Sequence, residues 1–133
     1  MKVETLKQFS VFLPNKPGAL SRLAKLFADA GVNLLGIASE VRDDSGMVRI
    51  AVGQDKDVSA VLSKAGFASV ESKLLSVVVA DKPGELLRVS VALAEGGVNI
   101  TTVYGTSLDG QSCRILFAAE NTEKALEVLA RLA

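Results

Sequence analysis

A short turn motif occurs twice in this chain, and its recurrence most constrains the fold. Turn one is Asn15-Lys16-Pro17-Gly18-Ala19-Leu20, and turn two is Asp81-Lys82-Pro83-Gly84-Glu85-Leu86. The offset of 66, which is 81 minus 15, also carries Gly31-Val32-Asn33 onto Gly97-Val98-Asn99. Two motifs that keep one register indicate two copies of a module of about 65 residues, which is longer than a solenoid repeat. Each copy is near the lower size limit of an independent domain.

Composition limits the classes of partner. The 133 residues are 49% hydrophobic, which suits one compact domain or two small ones that pack together. The 15 basic and 15 acidic residues cancel, so the sequence has no electrostatic signature of binding to nucleic acid or an anionic membrane. The apolar runs are far shorter than the roughly 18 residues of a membrane span, and no secretory leader is visible. We therefore expect a cytoplasmic protein.

The hydrophobic pattern predicts strand, helix, strand, strand, helix and strand in the first module. The first strand leads into turn one, where Pro17 separates it from an amphipathic helix that ends at Gly31. A hairpin around Asp43-Asp44-Ser45-Gly46 follows, and Asp55 or Asp57 can cap the second helix. The second module repeats this order with a strand over 75–79, a helix over 83–95, strands over 98–107 and 112–118, and a helix from about Thr122.

The second module ends at its helix and lacks a final strand. Residues 2–8 are strand-like, and Val3-Glu4-Thr5 resembles Val70-Glu71-Ser72. We therefore expect one long strand over 70–79 that ends the first module and begins the second, and a strand over 2–13 that does the reverse. The expected modules are 1–69 and 70–133, with the final strand of the second supplied by residues 2–8.

The order βαββαβ, the Asn/Asp-Lys-Pro-Gly-x-Leu turn and the Gly-Val-Asn-Leu/Ile helix end resemble the ACT domain, a small regulatory module of amino-acid biosynthetic enzymes. The resemblance covers nearly the whole chain as two tandem copies. It implies an α+β class with a ferredoxin-like fold, antiparallel sheets and helices on one face. It further implies that an amino acid binds at the interface of paired modules, and that two chains form a homodimer.

The turns have the chemistry that a free amino acid requires. Unpaired N–H groups at a helix N-terminus suit a carboxylate, and the side chain of Asn15 or Asp81 can accept from an ammonium group. The resemblance adds the Gly-Val-Asn asparagines. The predicted ligand-binding residues are Asn15, Lys16, Pro17, Gly18, Ala19, Leu20, Val32, Asn33 and Leu34 in the first module, and Asp81, Lys82, Pro83, Gly84, Glu85, Leu86, Val98, Asn99 and Ile100 in the second.

A purely structural interpretation of these motifs stays open. Pro-Gly after a strand commonly begins a helix, and Asn or Asp before it is a common capping or turn residue. The lysines of both turns are then only solvated. The arginines in the middle of equivalent strands, Arg49 and Arg114, are expected to form salt bridges.

Catalysis has little support in the sequence. The chain has no histidine, and it has no phosphate-binding loop, nucleophile elbow or metal-ligand cluster. We therefore expect no enzyme activity, cofactor or metal. The predicted function is an amino-acid sensor, and the alternative is a regulatory or assembly subunit of a biosynthetic enzyme without its own ligand. Exposed aliphatic residues on a helix face favour the alternative, and a polar cleft favours the sensor.

Overall fold

The computed structural model describes residues 1–42, 45–54 and 57–132. These residues form six strands and four helices, and every strand pairing described below is antiparallel. The elements in chain order are β1 (Lys2–Pro14), α1 (Ala19–Asp29), β2 (Gly36–Arg42), β3 (Ser45–Val52), α2 (Val58–Lys64), β4 (Ser69–Ala80), α3 (Glu85–Glu95), β5 (Ile100–Ser107), β6 (Ser112–Ala119) and α4 (Thr122–Leu132). The predicted order of elements and the α+β ferredoxin-like class are confirmed.

The chain divides into two compact units, and the first is the N-unit, Lys7–Ser72. Its sheet has β3 between β1 and β2, with Val11 opposite Val48 and Ile37 opposite Ile50. On its other side β1 neighbours β4, and just before β4 begins the Ala68 carbonyl accepts from the Phe12 backbone N–H at 3.0 Å. Helices α1 and α2 bury their apolar faces in one core, which includes Phe9, Val11, Leu23, Phe27, Ile50, Val58 and Leu62.

The second unit, the C-unit, comprises Met1–Leu6 and Lys73–Ala133. Its sheet has β6 between β4 and β5, with Val77 opposite Ile115 and Val103 opposite Phe117. The core includes Leu75, Val77, Val89, Leu93, Phe117, Ala125 and Leu129, and Val3 packs against it. The boundary between the units falls within β1 and within β4. Each of these long strands therefore contributes one end to the N-unit and the other end to the C-unit, as the predicted strand exchange requires.

Three predicted boundaries differ from the structure. The strands predicted from Val32 and Val98 begin later, because the amides of these valines close the preceding helices onto Phe27 and Leu93 at 2.9 Å. Their side chains turn into the two cores. The helix predicted from Pro83 begins at Glu85 because Gly84 has φ 96°, which lies outside the helical region.

Two predicted turn features fall partly outside the described residues. Asp43 and Asp44 of the first hairpin and the alternative cap Asp55 are not described. The other candidate, Asp57, caps α2, and its carboxylate accepts from the Ala60 amide at 3.1 Å. In the C-unit the predicted Asp109-Gly110 turn joins β5 to β6, and Asp109 accepts from the Gln111 and Ser112 amides at 2.9 and 2.8 Å.

Candidate functional site

Turn one and turn two have nearly the same backbone. Gly18 and Gly84 are the N-cap residues of α1 and α3, with φ values of 90° and 96° and ψ of −12° in both. This left-handed conformation favours glycine. The carbonyl of each glycine accepts the first helical bond, from Arg22 at 3.0 Å in turn one and from Arg88 at 2.9 Å in turn two.

A glycine N-cap leaves the helix N-terminus open. Since glycine has no side chain, it cannot accept from the N–H groups of the first helical turn, and neither helix has a side-chain cap. The alternative that Asn15 or Asp81 caps its helix is therefore wrong. In turn one the backbone N–H of Ala19 makes a long bond of 3.4 Å to the Lys16 carbonyl. The other N–H groups of the first helical turn and the helix dipole make each turn suitable for an anionic group such as a carboxylate.

Turn one borders a depression of about 250 Å³ in the N-unit. Two cationic side chains, Lys16 and Arg22, contribute to its wall, together with the Phe67 ring. The guanidinium carbon of Arg22 lies 4.6 Å from the centre of this ring, and its Nη2 donates to the Ala65 carbonyl at 3.4 Å. The described residues that line it are Leu13, Pro14, Lys16, Pro17, Gly18, Ala19, Arg22 and Phe67.

Sequence analysis missed Arg22 and Phe67 as parts of this depression. Arg22 lies one helical turn after Gly18, so the spacing of a helix could have identified it. Phe67 is distant in sequence and reaches the turn only because the loop after α2 folds back to it. Asn15 and Leu20 are exposed and are not part of the lining.

Turn two contains a carboxylate, Glu85, which lies close to the cationic side chains of Lys82 and Arg88. Glu85 is the first residue of α3, and its Oε2 lies 2.8 Å from Arg88 Nη2 and accepts from Arg88 Nε at 3.0 Å. Its Oε1 lies 3.9 Å from Lys82 Nζ. The Glu85 side chain is only 13% exposed, compared with 43% for Arg88. The equivalent position in turn one is Ala19, so this internal ion pair has no counterpart there.

The Gly-Val-Asn segments follow the helices and do not line the turn-one depression. Asn33 is exposed. The side-chain amide of Asn99 donates from Nδ2 to Glu120 Oε1 at 3.1 Å. Val32 and Val98 are buried, and their side chains belong to the two cores. The remaining two predicted residues of these segments, Leu34 and Ile100, are partly buried against the cores.

A second depression of about 340 Å³ lies on the other face of the N-unit sheet. Neighbouring residues of a strand point to opposite faces, so Phe12 lines this depression while Leu13 faces the core. Its polar groups are already paired, because Arg49 Nη1 lies 3.3 Å from Glu40 Oε2. The predicted salt bridge of Arg49 is confirmed, whereas Arg114 Nε donates to the buried Ser76 hydroxyl at 3.0 Å.

The structure has few features of a reactive centre. Burial raises the pKa of the Cys113 thiol, and the charges of Asp81 and Glu85 raise it further. A thiol of raised pKa is protonated near neutral pH and is a poor nucleophile. Within residues 1–42, 45–54 and 57–132, no group of three or more His, Cys, Asp and Glu side chains could hold a metal ion. None of the described helices is long and apolar enough to cross a membrane.

Comparison with known proteins identifies the family. Protein BT0572 from Bacteroides thetaiotaomicron has a similar structure, with a TM-score of 0.88 and 26% identity over 97% of this chain and 89% of that chain. The ligand-free regulatory subunit of aspartate kinase from Thermus thermophilus has a TM-score of 0.70 and 17% identity, with 98% of this chain and 94% of that chain covered. The aspartokinase alpha and beta subunits align with a TM-score of 0.65 and 20% identity, over 98% of this chain and 96% of that chain.

The similarities to the two aspartate kinase structures show a shared fold. No curated protein matches the sequence. The family model of the ACT domain pair matches residues 4–132, which is nearly the whole chain. This chain belongs to the ACT domain pair family.

Proposed function

We propose that this chain is a non-catalytic regulatory protein that binds a free amino acid at turn one. The observation that supports this most strongly is the depression at the N-terminus of α1, which combines open backbone N–H groups with Lys16 and Arg22. Its volume of about 250 Å³ is below the roughly 300–1,000 Å³ of sites for drug-sized ligands, so it suits a small molecule.

The chemical groups of turn one match those of an amino acid. The carboxylate of the ligand accepts from the N–H groups at the start of α1 and pairs with the cations of the depression. Asn15 is exposed and precedes the lining residue Lys16, and we propose that its side-chain oxygen accepts from the ammonium group at the edge of the depression. Leu13 and Phe67 offer apolar surface to the ligand side chain. The Gly-Val-Asn residues, Asn33 above all, stay in the proposal as further ligand contacts.

Regulation follows from linkage. A ligand that binds one state of the protein more tightly shifts the population toward that state, and a partner that recognises that state responds to the ligand. We propose that two chains pair in the cytoplasm and that the regulated partner is an amino-acid biosynthetic enzyme. The fold shared with a regulatory subunit of aspartate kinase supports a regulatory role.

An assembly subunit without its own ligand is the second candidate, and the surface of α3 favours it. Leu86, Leu87 and Val91 are 54%, 65% and 43% exposed. Leu87 and Val91 lie one helical turn apart, so they present a continuous apolar strip. Such a strip is typical of a surface that another protein covers.

A thermal-shift screen of the purified protein against the twenty common amino acids tests the two candidates. A ligand that binds only the folded state raises the unfolding temperature, because occupancy at 100 times Kd adds about 2.7 kcal/mol to the free energy of unfolding. We expect a rise with one amino acid or a few related ones. The amide of the same amino acid lacks the carboxylate and is the matched control, with little or no rise expected. No rise with any amino acid would contradict the sensor and favour the assembly subunit.

A further inference from the structure

The two turns differ at the residue that follows their N-cap glycine. Ala19 begins α1 and Glu85 begins α3, and the two positions are related by the offset of 66, which is 85 minus 19. The first turn of α1 contains no acidic residue, whereas that of α3 contains Glu85. The backbone of the two turns is nearly the same, so this difference lies in the side chains.

Glu85 pairs with the two cationic side chains that a ligand carboxylate would use at turn two. Its Oε2 accepts from both Nε and Nη2 of Arg88, at 3.0 and 2.8 Å, and its Oε1 lies 3.9 Å from Lys82 Nζ. A carboxylate in the first turn of a helix also interacts favourably with the helix dipole. The side chain is 13% exposed, so the carboxylate is held against the turn.

The corresponding cations of turn one have no such carboxylate from the first turn of their helix. Arg22 lies over the Phe67 ring and donates a long bond of 3.4 Å to the Ala65 carbonyl. Lys16 and Arg22 give turn one a formal charge of +2, because Asn15 and Ala19 are neutral. In turn two Lys82 and Arg88 are balanced by Asp81 and Glu85, so the formal charge is zero.

We infer that Glu85 acts as a built-in carboxylate that closes turn two to amino acids, so that each chain binds its amino acid at turn one only. This inference rests on the proposed function. A ligand carboxylate at turn two would have to displace the Arg88 ion pair and would lie beside Asp81 and Glu85. Both consequences weaken binding, since like charges repel and the displaced pair is lost. Glu85 is therefore the residue that determines which of two equivalent turns is used.

Amide NMR spectra of isotope-labelled protein test this inference, because they report each turn separately. The probes are the twenty common amino acids, added one at a time to millimolar concentration. For the wild-type protein we expect an amino acid to shift the amide signals of Gly18, Ala19 and Leu20 and to leave those of Gly84, Glu85 and Leu86 unchanged. Glu85→Ala removes the internal carboxylate, and we expect the same amino acid then to shift the signals of turn two.

The size of the effect follows from two changes. Glu85→Ala removes both the competing ion pair and the like charge beside a bound carboxylate, so together they should tighten binding at turn two by about tenfold. The reciprocal variant Ala19→Glu should weaken binding at turn one by a similar factor. Glu123→Ala is the matched control, because Glu123 also lies in the first turn of a helix and pairs with Lys73 at 3.5 Å, away from the turn. In Glu123→Ala we expect amino acids to leave the amide signals of turn two unchanged, as in the wild-type protein.

The outcomes separate this inference from the proposed function. Wild-type binding at both turns with similar Kd would overturn the role of Glu85 and leave the proposed function standing. Turn two remaining closed in Glu85→Ala would also overturn it. An absence of shifts at either turn, in both wild type and Glu85→Ala, would overturn the proposed function and this inference with it. If Ala19→Glu does not fold, the comparison of wild type, Glu85→Ala and Glu123→Ala still decides.

Discussion

Turn one and turn two share a backbone and differ in charge. The N-cap glycines have φ values 6° apart, 90° and 96°, and the same ψ of −12°. Next to them stand Ala19 in one turn and Glu85 in the other. Turn one therefore carries two cations and no acidic residue in its own sequence, whereas turn two pairs its cations with Glu85. The comparison teaches that a duplicated backbone can be kept while one side chain changes the charge that a turn presents.

The two units also differ where the first helix of each ends. Ala30 follows α1, and Gly96 occupies the equivalent position after α3. A Cβ at Gly96 would lie 2.5 Å from Val128 Cγ2 of α4. The glycine thus allows α4 to approach α3 closely. This requirement is specific to the C-unit, where α4 has 11 residues and α2 of the N-unit has 7.

The largest expected effect on stability is that of Gly96→Ala. The backbone at Gly96, with φ −80°, accepts alanine, but the new methyl group overlaps Val128. Overpacking of this kind lowers the free energy of unfolding by about 1–3 kcal/mol. Chemical denaturation measures the loss, and Ala30→Gly is the matched variant in the N-unit, where we expect a smaller change. A gain in stability for Gly96→Ala would show that Val128 moves aside and that the two helix ends are equivalent.

Equal effects are expected when the shared backbone of the turns is changed. Gly18→Ala and Gly84→Ala place a side chain in the left-handed region, which costs about 1–2 kcal/mol in each case. A Cβ at either position meets no atom within 4 Å, so backbone strain alone determines the loss. Denaturation of both variants checks this. Losses that differ by more than about 1 kcal/mol would contradict the equivalence of the turns.

Removal of the Glu85 carboxylate should cost less stability than either glycine substitution. Glu85→Ala removes a partly exposed ion pair and a favourable interaction with the helix dipole, which together are worth about 0.3–1 kcal/mol. The loss should shrink at high salt, because counterions screen the pair. Denaturation at low and high salt measures it, with Glu123→Ala as the more exposed control. A loss independent of salt would indicate a packing role for Glu85 instead.

The smallest effect concerns Cys113, which reports the charge of turn two. Burial is the main cause of its raised pKa, and the carboxylates of Asp81 and Glu85 add to it. Glu85→Gln keeps the shape of the side chain and removes its charge, so the pKa of Cys113 should fall while staying above its usual value. The rate of thiol alkylation as a function of pH measures this shift. Asp29→Asn is the control, because Asp29 pairs with Lys25 in the N-unit, and it should leave the profile unchanged.

Local sequence patterns predicted most of the fold because its elements depend on local physics. Pro17 and Gly18 separate strand from helix at turn one, and a glycine follows each of α1, α2 and α3, so the repeated motifs predicted the repeated elements. The missing last strand of the second module predicted that another segment would complete it, and the C-unit does include Met1–Leu6. The starts of β2 and β5 were predicted too early, because Val32 and Val98 have the composition of a strand but close the preceding helices.

The sequence by itself determined the duplication, the order of elements and the glycine turns, since each depends on residues that are neighbours along the chain. Only the tertiary structure decided what surrounds each turn. Phe67, which follows α2 in the sequence, lines the turn-one depression because the chain brings it close to α1. Arg22 of α1 lies over its ring. The Glu85 carboxylate pairs with Arg88 because the helix brings both to one side of the turn. These contacts depend on the directions of side chains in space, which residue spacing within a motif does not specify.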